Sequence, residues 1–393
     1  MKISFIQPSR NNLKYLKWSY EAIRKNQGSH EVEICVADDA STDGTWAWCV
    51  EIEKKDPNFK WIRNQGPQRL GHTILYDRLI NEVATNDIAM IYHADMYLCP
   101  GALDAIEQEI KPRTIVSLTR IEPPLHPDGP EKILRDFGVE PEEFKEEALL
   151  SFISGRGKGQ ETTEGIFAPW AFYREDFQKI GGHDPLYAPQ SKEDSDIFNR
   201  FMLDGVSFVQ TWEGCVYHMT CRGSRRNTVD KAKNIYEDSP EWLAQNERSA
   251  RNFIRKWGHF VKHDALMKPI VPPKYNTAIR VFNATEALLR VLEPWGDTIY
   301  VDLLQEKIDS YIQQEQPNTA YDLTKRIVDK AGADVTVRID GKTFGAQDFQ
   351  YIQMLPDILK ENQAIGKFKL GNIELTVERL IEYQDQLINL THG

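Results

Sequence analysis

Apolar and polar positions alternate between two periods along the first quarter of the chain. Ile3 to Ile6 is a short apolar run bounded by polar residues and reads as a buried strand, whereas Asn11 to Lys25 carries Leu13, Leu16, Tyr20 and Ile23 at helical spacing. The same pair of signals recurs. Val32 to Ala37 is a second strand, followed by the polar turn from Asp38 to Thr45 and a helix with Trp46, Trp48, Cys49 and Ile52. Lys60 to Arg63 reads as a third strand, His72 to Val83 as a helix, and Ile88 to Tyr92 as a fourth strand. Strands alternating with helices predict an α/β fold, a Rossmann-like, mostly parallel sheet covered on both faces, whose ligands lie beyond the carboxyl ends of the strands. Ser9, the Asp38-Asp39 pair and the His93-Ala94-Asp95 tripeptide all fall at such ends and are expected to share one crevice. Aspartate and serine at strand ends also cap helices, and for Ser41 and Asp43 both roles stay open.

The second half is less regular. Asp176 to Gly182 reads as a helix closing in Gly181-Gly182, a stop that admits left-handed backbone, and a loop from His183 to Ser191 leads to a helix opening at Glu193-Asp194. Val206 to Gln210 is a strand. Residues 121–163 interrupt the pattern with Pro123-Pro124, Pro127, an acidic run from Glu140 to Glu147 and a glycine-rich end, and are expected to be partly disordered or an inserted lid. After Val271-Pro272-Pro273 the character changes: Thr277 to Leu292 and Tyr300 to Ile312 read as amphipathic helices, Val335 to Phe344 as a hairpin and Thr376 to Leu390 as a last helix. The expected division is a catalytic domain over 1–265 and a mainly helical α+β extension over 266–393. The extension carries no catalytic constellation; acceptor recognition, partner binding and homo-oligomer formation through its helices stay open.

Composition narrows the function. The 393 residues are 41% hydrophobic and 27% charged, enough for one large soluble domain and an appendage. A net charge of −11 argues against a grip on a nucleic-acid polymer, which needs a basic surface. Cys35, Cys49, Cys99, Cys215 and Cys221 form no C-x-x-C pair, and a reducing, cytoplasmic compartment fits them best. No run approaches the ~18 apolar residues of a membrane span, and the opening Met1 to Ile6 is too short for a signal-peptide core, so a chain starting at residue 1 is expected. His93 and Asp95, two apart at the end of a strand, aim at one face and offer an imidazole and a carboxylate. That pair suits Mn²⁺ better than Mg²⁺, which prefers oxygen ligands.

Four segments in order carry a family resemblance: Val36 to Thr45 with its Asp38-Asp39, His93-Ala94-Asp95, Lys179 to Asp184 with its Gly-Gly-His-Asp, and Lys192-Glu193-Asp194-Ser195-Asp196. Over roughly residues 2–260 the chain resembles the inverting GT-A-fold glycosyltransferases of family two. The resemblance implies a nucleotide-sugar donor, most often UDP-linked, and a glycan or other hydroxyl acceptor. It implies that Pro8, Ser9, Asp38 and Asp39 hold base and ribose, and that the tripeptide holds a divalent cation on the diphosphate. Asp194 would be the general base, with Glu193 orienting the acceptor or the loop. His218 falls where a third metal ligand stands, beside Asp95 and, less securely, His93, which replaces the usual first aspartate. Arg69-Leu70-Gly71 loosely echoes another donor-side element. Arg222, Arg225 and Arg226 form the one dense basic cluster, suited to clamping a leaving diphosphate or simply to a solvated loop. Trp170 is a candidate sugar platform or a core residue, and His183 and Asp184 are candidates on the acceptor side. The competing readings are a catalytically idle scaffold and a nucleotidyltransferase, the latter disfavoured because Gln7-Pro8-Ser9-Arg10 lacks a glycine-rich loop.

Overall fold

Every residue of β1 (Lys2–Ser9) after Lys2 is buried, so the strand needs cover on both faces. Part of that cover is α1 (Leu13–Asn26), which turns Tyr15, Leu16, Ser19, Ala22 and Ile23 inward. The alternation continues through β2 (Glu31–Asp39), α2 (Thr45–Glu53), β3 (Phe59–Asn64), α3 (His72–Arg78) and β4 (Ile88–Ile91). It is followed by β5 (Met96–Leu98), α4 (Ala102–Glu109), β6 (Thr114–Glu122), β7 (Lys132–Leu134) and α5 (Glu146–Ser154). Then come β8 (Trp170–Tyr173), α6 (Arg174–Lys179), α7 (Glu193–Leu203) and β9 (Ser207–His218). The computed structural model describes residues 1–156, 162–220, 226–230 and 235–390. Their contacts divide into two units, Met1–Ala244 with His263–Ile270, and Gln245–Lys262 with Val271–Gly393.

The first unit is built on a nine-stranded sheet in the order β3-β2-β1-β4-β8-β6-β9-β5, with β7 attached to β6. β1 runs parallel to β2 and β4, β2 to β3, and β6 to β7 and β9, so the expected mostly parallel sheet is present. β8 is antiparallel to both β4 and β6. That double reversal decides where the site lies, because β6 and β9 then point the same way as β1, β2 and β4 and all five end on one edge. Ile3, Phe5, Val32, Ile34, Val36, Met90 and Val116 form the centre of the core beneath that edge. Cys35, Cys49, Cys99 and Cys215 are buried free thiols, and Cys221 lies outside the described residues. Among the described residues no helix is long and apolar enough to cross a membrane.

Residues 121–156 are not the disordered stretch expected of their prolines and acids. Phe137, Phe144, Leu149 and Phe152 pack with Trp18, Tyr97 and Tyr217 in a second cluster of the first unit, and the Tyr217 hydroxyl donates to Gly138 O at 2.6 Å. Four apolar side chains spread among polar neighbours show no period, which hid a core segment from a periodicity reading.

A two-stranded antiparallel sheet, β10 (Arg226–Asp230) and β11 (Ile235–Asp238), precedes α8 (Pro240–Trp257). The second unit then adds β12 (Thr277–Phe282), α9 (Glu286–Leu292), β13 (Thr298–Val301), α10 (Gln305–Glu315), α11 (Leu323–Arg326) and β14 (Val335–Asp340). It closes with α12 (Ala346–Gln353), α13 (Leu355–Asn362), β15 (Gly366–Leu370) and β16 (Ile373–Val377). Its five-stranded sheet has the order β13-β12-β14-β16-β15. Here the segment readings need correction. Thr277 to Phe282 and Thr298 to Val301 are strands that precede shorter helices, Val335 to Asp340 pairs in parallel with β12 instead of forming a hairpin, and Thr376-Val377 ends a strand. The cause is local: Ile279 and Val281 alternate inward on a strand, while Val281, Leu288 and Leu292 also fit a helical repeat across the turn that separates them. Inside this unit Glu293 accepts from Arg255 at 2.6 Å, Arg326 at 2.7 Å and the Tyr311 hydroxyl at 3.0 Å, all of them buried.

Candidate active site

The strand ends bring three metal-capable side chains together. His93 and Asp95 follow β4, His218 ends β9, and the β5–β9 pairing sets Met96 opposite His218. One donor atom from each of His93, Asp95 and His218 lies within 4.8 Å of the others, close enough that small side-chain movements bring all three to the roughly 2 Å bonds one cation needs. His218 Nε2 is 3.4 Å from Asp95 Oδ1, and His218 Nδ1 donates to Glu122 Oε1 at 2.8 Å. Burial alone would lower the His218 pKa, but the two carboxylates raise it to about 9. His93 goes the other way: burial, then the His218 charge, hold it down to about 4, so its ring is a neutral ligand at pH 7. Asp95 stays ionised because His218 and His93 outweigh its burial. A second group, His30, Asp104 and Glu107, is also close enough, but its two carboxylates are exposed and already paired, Asp104 with His30 and Glu107 with the Met1 amine.

The adjoining ends of β1 and β2 hold the donor-side candidates. Their register sets Pro8 beside Ala37 and Ser9 beside Asp38. The Ser9 hydroxyl and Asp38 Oδ2 are buried without a hydrogen-bond partner, while Asp38 Oδ1 accepts from Ser41 N at 3.0 Å and Arg63 Nε lies 3.2 Å from Oδ2. Asp39 organises the next loop: it accepts from Asn64 Nδ2 at 2.7 Å, Leu70 N at 3.0 Å and Gly71 N at 2.9 Å. Gly71 is obligatory there, at φ 81° and with Pro189 so close that a Cβ would stand 2.1 Å from its carbonyl oxygen. Arg69 reaches from this loop to Gln190 Oε1 at 2.5 Å, tying the donor side to the loop before α7. Asp43 has the capping role, accepting from Leu13 N at 2.9 Å and Thr45 N at 3.1 Å.

The third component is the start of α7. Ser191 and Lys192 both sit in the left-handed region, at φ 80° and 71°, a conformation costing roughly 1–2 kcal/mol for each L residue. They deliver Glu193 into a buried position and Asp194 into a half-buried one beside it. A helix N-terminus ordinarily favours ionised carboxylates. Here burial wins: it raises both, Asp194 adds to the rise of Glu193, and the charge of His183 draws Asp194 back down. Asp196 has a different task, since Arg200 bonds it at 2.8 Å and also donates to the carbonyls of Ile180 and Gly182, bracing the loop that precedes the carboxylates. The three components meet around α3. His72, held down to about 3 by burial, feels the charges of Arg69, His93, Asp39 and Asp95, and the buried Tyr76 feels Asp194, Glu193 and Asp95.

Residues 4–181, a little under half of the chain, match the model of the family described as glycosyl transferase family 2. The sheet and flanking helices that they contribute have the GT-A α/β fold. No protein of curated function matches the chain. Among solved structures, the chain is similar to the mannosyltransferase PcManGT of Pyrobaculum calidifontis in complex with GDP-Man and Mn²⁺, at 17% identity over 56% of this chain and 58% of that one, with a TM-score of 0.40. It is also similar to GalNAc-T7 with UDP, GalNAc and Mn²⁺, at 13% identity over 56% and 44% with a TM-score of 0.42. TarS 1-349 of S. aureus aligns at 16% identity over 56% and 60% with a TM-score of 0.37. The chain thus spans about half the length of these structures.

Within the first unit, several sequence candidates take other places. Trp170 cannot serve as a sugar platform: it is fully buried on β8, packed on Phe172, Phe198 and Phe201. His183 and Asp184 are buried too, and both shape the loop. His183 donates from Nδ1 and from its backbone to Asp77, at 2.6 and 3.0 Å, and Asp184 accepts from Leu186 N at 2.9 Å. Gly182, at φ 72°, leaves room for that Asp77 carboxylate, which a Cβ would meet at 2.1 Å. Arg222 and Arg225 lie outside the described residues. Asp77 and Glu122, the carboxylates behind two histidines of the site, escaped the sequence reading, as did His72 and Tyr76; the only signal was an acid or ring on an element already expected to end at the crevice.

Proposed function

We propose that the glycosyltransferase domain moves a sugar from a nucleotide-sugar, UDP-linked, to a hydroxyl of a glycan or other acceptor with inversion, and that it depends on Mn²⁺ or, less well, Mg²⁺. The observation that carries this reading is the cluster of half-buried His93 with buried Asp95 and His218 on the same strand edge as Ser9 and Asp38, with Asp95 and the Glu193 and Asp194 carboxylates all acting on Tyr76. Asp95 and His218 would hold the cation with His93, and the cation would neutralise charge on the departing diphosphate. Ser9, whose buried hydroxyl makes no hydrogen bond, and Asp38, whose Oδ2 is engaged by Arg63 as an ion pair without a hydrogen bond, suit the base and ribose. Asp39 and Arg69 keep the donor loop in place through the bonds described above.

Asp194 takes the proton of the acceptor hydroxyl. The acceptor oxygen bonds to the anomeric carbon as that carbon's bond to the diphosphate oxygen breaks, the electron pair leaving with the nucleoside diphosphate. Burial that raises the Asp194 pKa makes it a stronger base once ionised, and Glu193, raised further by the Asp194 charge, holds the proton the pair shares. Attack from the side opposite the diphosphate turns an α-linked donor into a β-linked product.

The test is incubation of the protein with a panel of UDP-hexoses, with Mn²⁺ and with EDTA. Metal-dependent release of UDP, lost in Asp95→Ala, is expected. Release by no donor in the panel would favour the idle scaffold, and an α-linked product from an α-linked donor would overturn the inverting step.

A further inference from the structure

Glu122 ends β6, and the β6–β9 register that pairs Ile121 with Tyr217 sets it beside His218. Its side chain is 2% exposed and accepts the His218 Nδ1 proton at 2.8 Å. The other ring nitrogen, Nε2, faces Asp95 at 3.4 Å. A neutral imidazole has one donor nitrogen and one acceptor nitrogen, and its partner at one decides the state of the other. A carboxylate only accepts, so Glu122 keeps a proton on Nδ1, and it is Nε2, on the side of Asp95 and His93, that offers a lone pair once its own proton has left. Glu122 is itself held. Arg120 Nη1 lies 3.4 Å from Oε1 and Lys132 Nζ lies 3.6 Å from Oε2, the two cations being register partners on β6 and β7. Both also flank Glu131, at 3.6 and 3.8 Å, so a four-residue network of alternating charge backs one imidazole. The strand β7, inside the segment read from sequence as an insertion or lid, thereby becomes a support of the site.

We infer that Glu122 is a positioning residue that fixes His218 in the tautomer whose Nε2 faces the cation, and that this makes the site favour an ion accepting a nitrogen ligand, Mn²⁺ over Mg²⁺. The inference rests on the metal site proposed above. With the imidazole turned or its lone pair protonated, the cation keeps Asp95, the diphosphate and water, an oxygen-rich set that suits Mg²⁺ as well as Mn²⁺.

The experiment measures metal affinity of the full chain without nucleotide, anaerobically at pH 9.5, where the His218 proton no longer competes, following free Mn²⁺ by electron paramagnetic resonance and Mg²⁺ by competition. Glu122→Met, which removes the acceptor, is expected to weaken Mn²⁺ binding about 10–100-fold, while Mg²⁺ binding changes less than about threefold, so the preference for Mn²⁺ collapses. Glu122→Gln, which keeps an acceptor oxygen at the same reach, should stay within about threefold of the parent for both ions. His218→Ala is the control for the site itself. Parent-like Mn²⁺ affinity in Glu122→Met alongside loss in His218→Ala overturns the positioning role alone; parent-like affinity in both overturns the metal site and this inference with it. Equal weakening of both ions in Glu122→Met would mark a purely structural residue and also overturn the inference. If Glu122→Met does not melt cooperatively, Glu122→Asp replaces it: the charge remains, the oxygen is withdrawn by one carbon–carbon bond, and Mn²⁺ should bind at least about fivefold more weakly.

Discussion

Proton and metal should compete for His218, and the competition has a calculable size. The ring is buried with Glu122 at 2.8 Å and Asp95 at 3.4 Å, and although burial opposes the charge, the carboxylates win and raise its pKa from 6.5 to about 9. The folded protein therefore holds this proton more tightly than the unfolded chain by roughly 3 kcal/mol. Because the folded value is the higher one, that stability is fully present below pH 6.5 and drains away as pH rises through 9. Urea melts in EDTA at pH 6, 7, 8 and 9, taken for the parent and for His218→Gln, isolate the contribution. The difference between the two should shrink by about 3 kcal/mol across that window. A cation needs the lone pair the proton occupies, so Mn²⁺ affinity should climb about tenfold per pH unit between 7 and 9 and level off above. Added Mn²⁺ should accordingly stabilise the parent far more at pH 9 than at pH 6. A difference curve flat in pH, or an Mn²⁺ affinity indifferent to it, would refute the reading that His218 is a protonated ion-pair partner in the free site and a ligand in the filled one. His93 and Glu122 do not blur the window, since their pKa values are held to about 4 and about 2 and their contributions change only below pH 6.5.

Three further outcomes are expected. Asp194→Asn should lower turnover ~10²-fold or more with donor binding intact; comparable turnover would move the base to Glu193. Glu293→Gln leaves Arg255 and Arg326 facing a neutral group in the interior of the second unit and should cost about 3–5 kcal/mol in denaturant melts; since the Glu293 pKa is held down to about 2, the network's contribution should also fade as pH drops below 4.5. A chain ending at residue 265 keeps Arg255, which the second unit buries against Glu293 and Glu315, without either carboxylate; it should aggregate or melt without cooperativity, and a sharp monomeric melt would show that 1–265 folds alone.

The strand edge was legible in the sequence because strand-end chemistry is written in short, contiguous runs. Asp38-Asp39 and His93-Ala94-Asp95 each follow an apolar run, and a parallel sheet sends such ends to one side whatever the order of its strands. The Gly181-Gly182 stop was legible for a similar reason: both glycines take positive φ, at 83° and 72°, where the helix was expected to close. Trp170 was not, because an aromatic residue in an apolar run reads the same whether it faces a substrate or, as on β8, three phenylalanines. The second unit misled for want of length. Six residues such as Thr277 to Phe282 are too few for a period of 2 to be told from one of 3.6, and the strand became plain only through its pairing with β13 and β14.

What no local pattern carries is the partner that gives a functional side chain its state. Asp77 and His183 stand 106 positions apart, and Glu122 and His218 stand 96 apart. Neither acid lies in a run that marks it: Asp77 is one charge on a helix face, and Glu122 is the last residue of a strand before two prolines. They meet their histidines only because β8 runs against both of its neighbours, which brings β6 and β9 alongside with their ends level, and because the Cβ missing at Gly182 lets Asp77 approach the loop before α7. Sequence motifs therefore locate the candidate site groups, while sheet register decides their charge. The different pKa displacements of His93 and His218, one down to about 4 and the other up to about 9, make the point within a single cluster. Both are histidines at strand ends and both were candidates for the same ion; what separates them is that His218 lies between two carboxylates, Asp95 and Glu122, that together outweigh its burial.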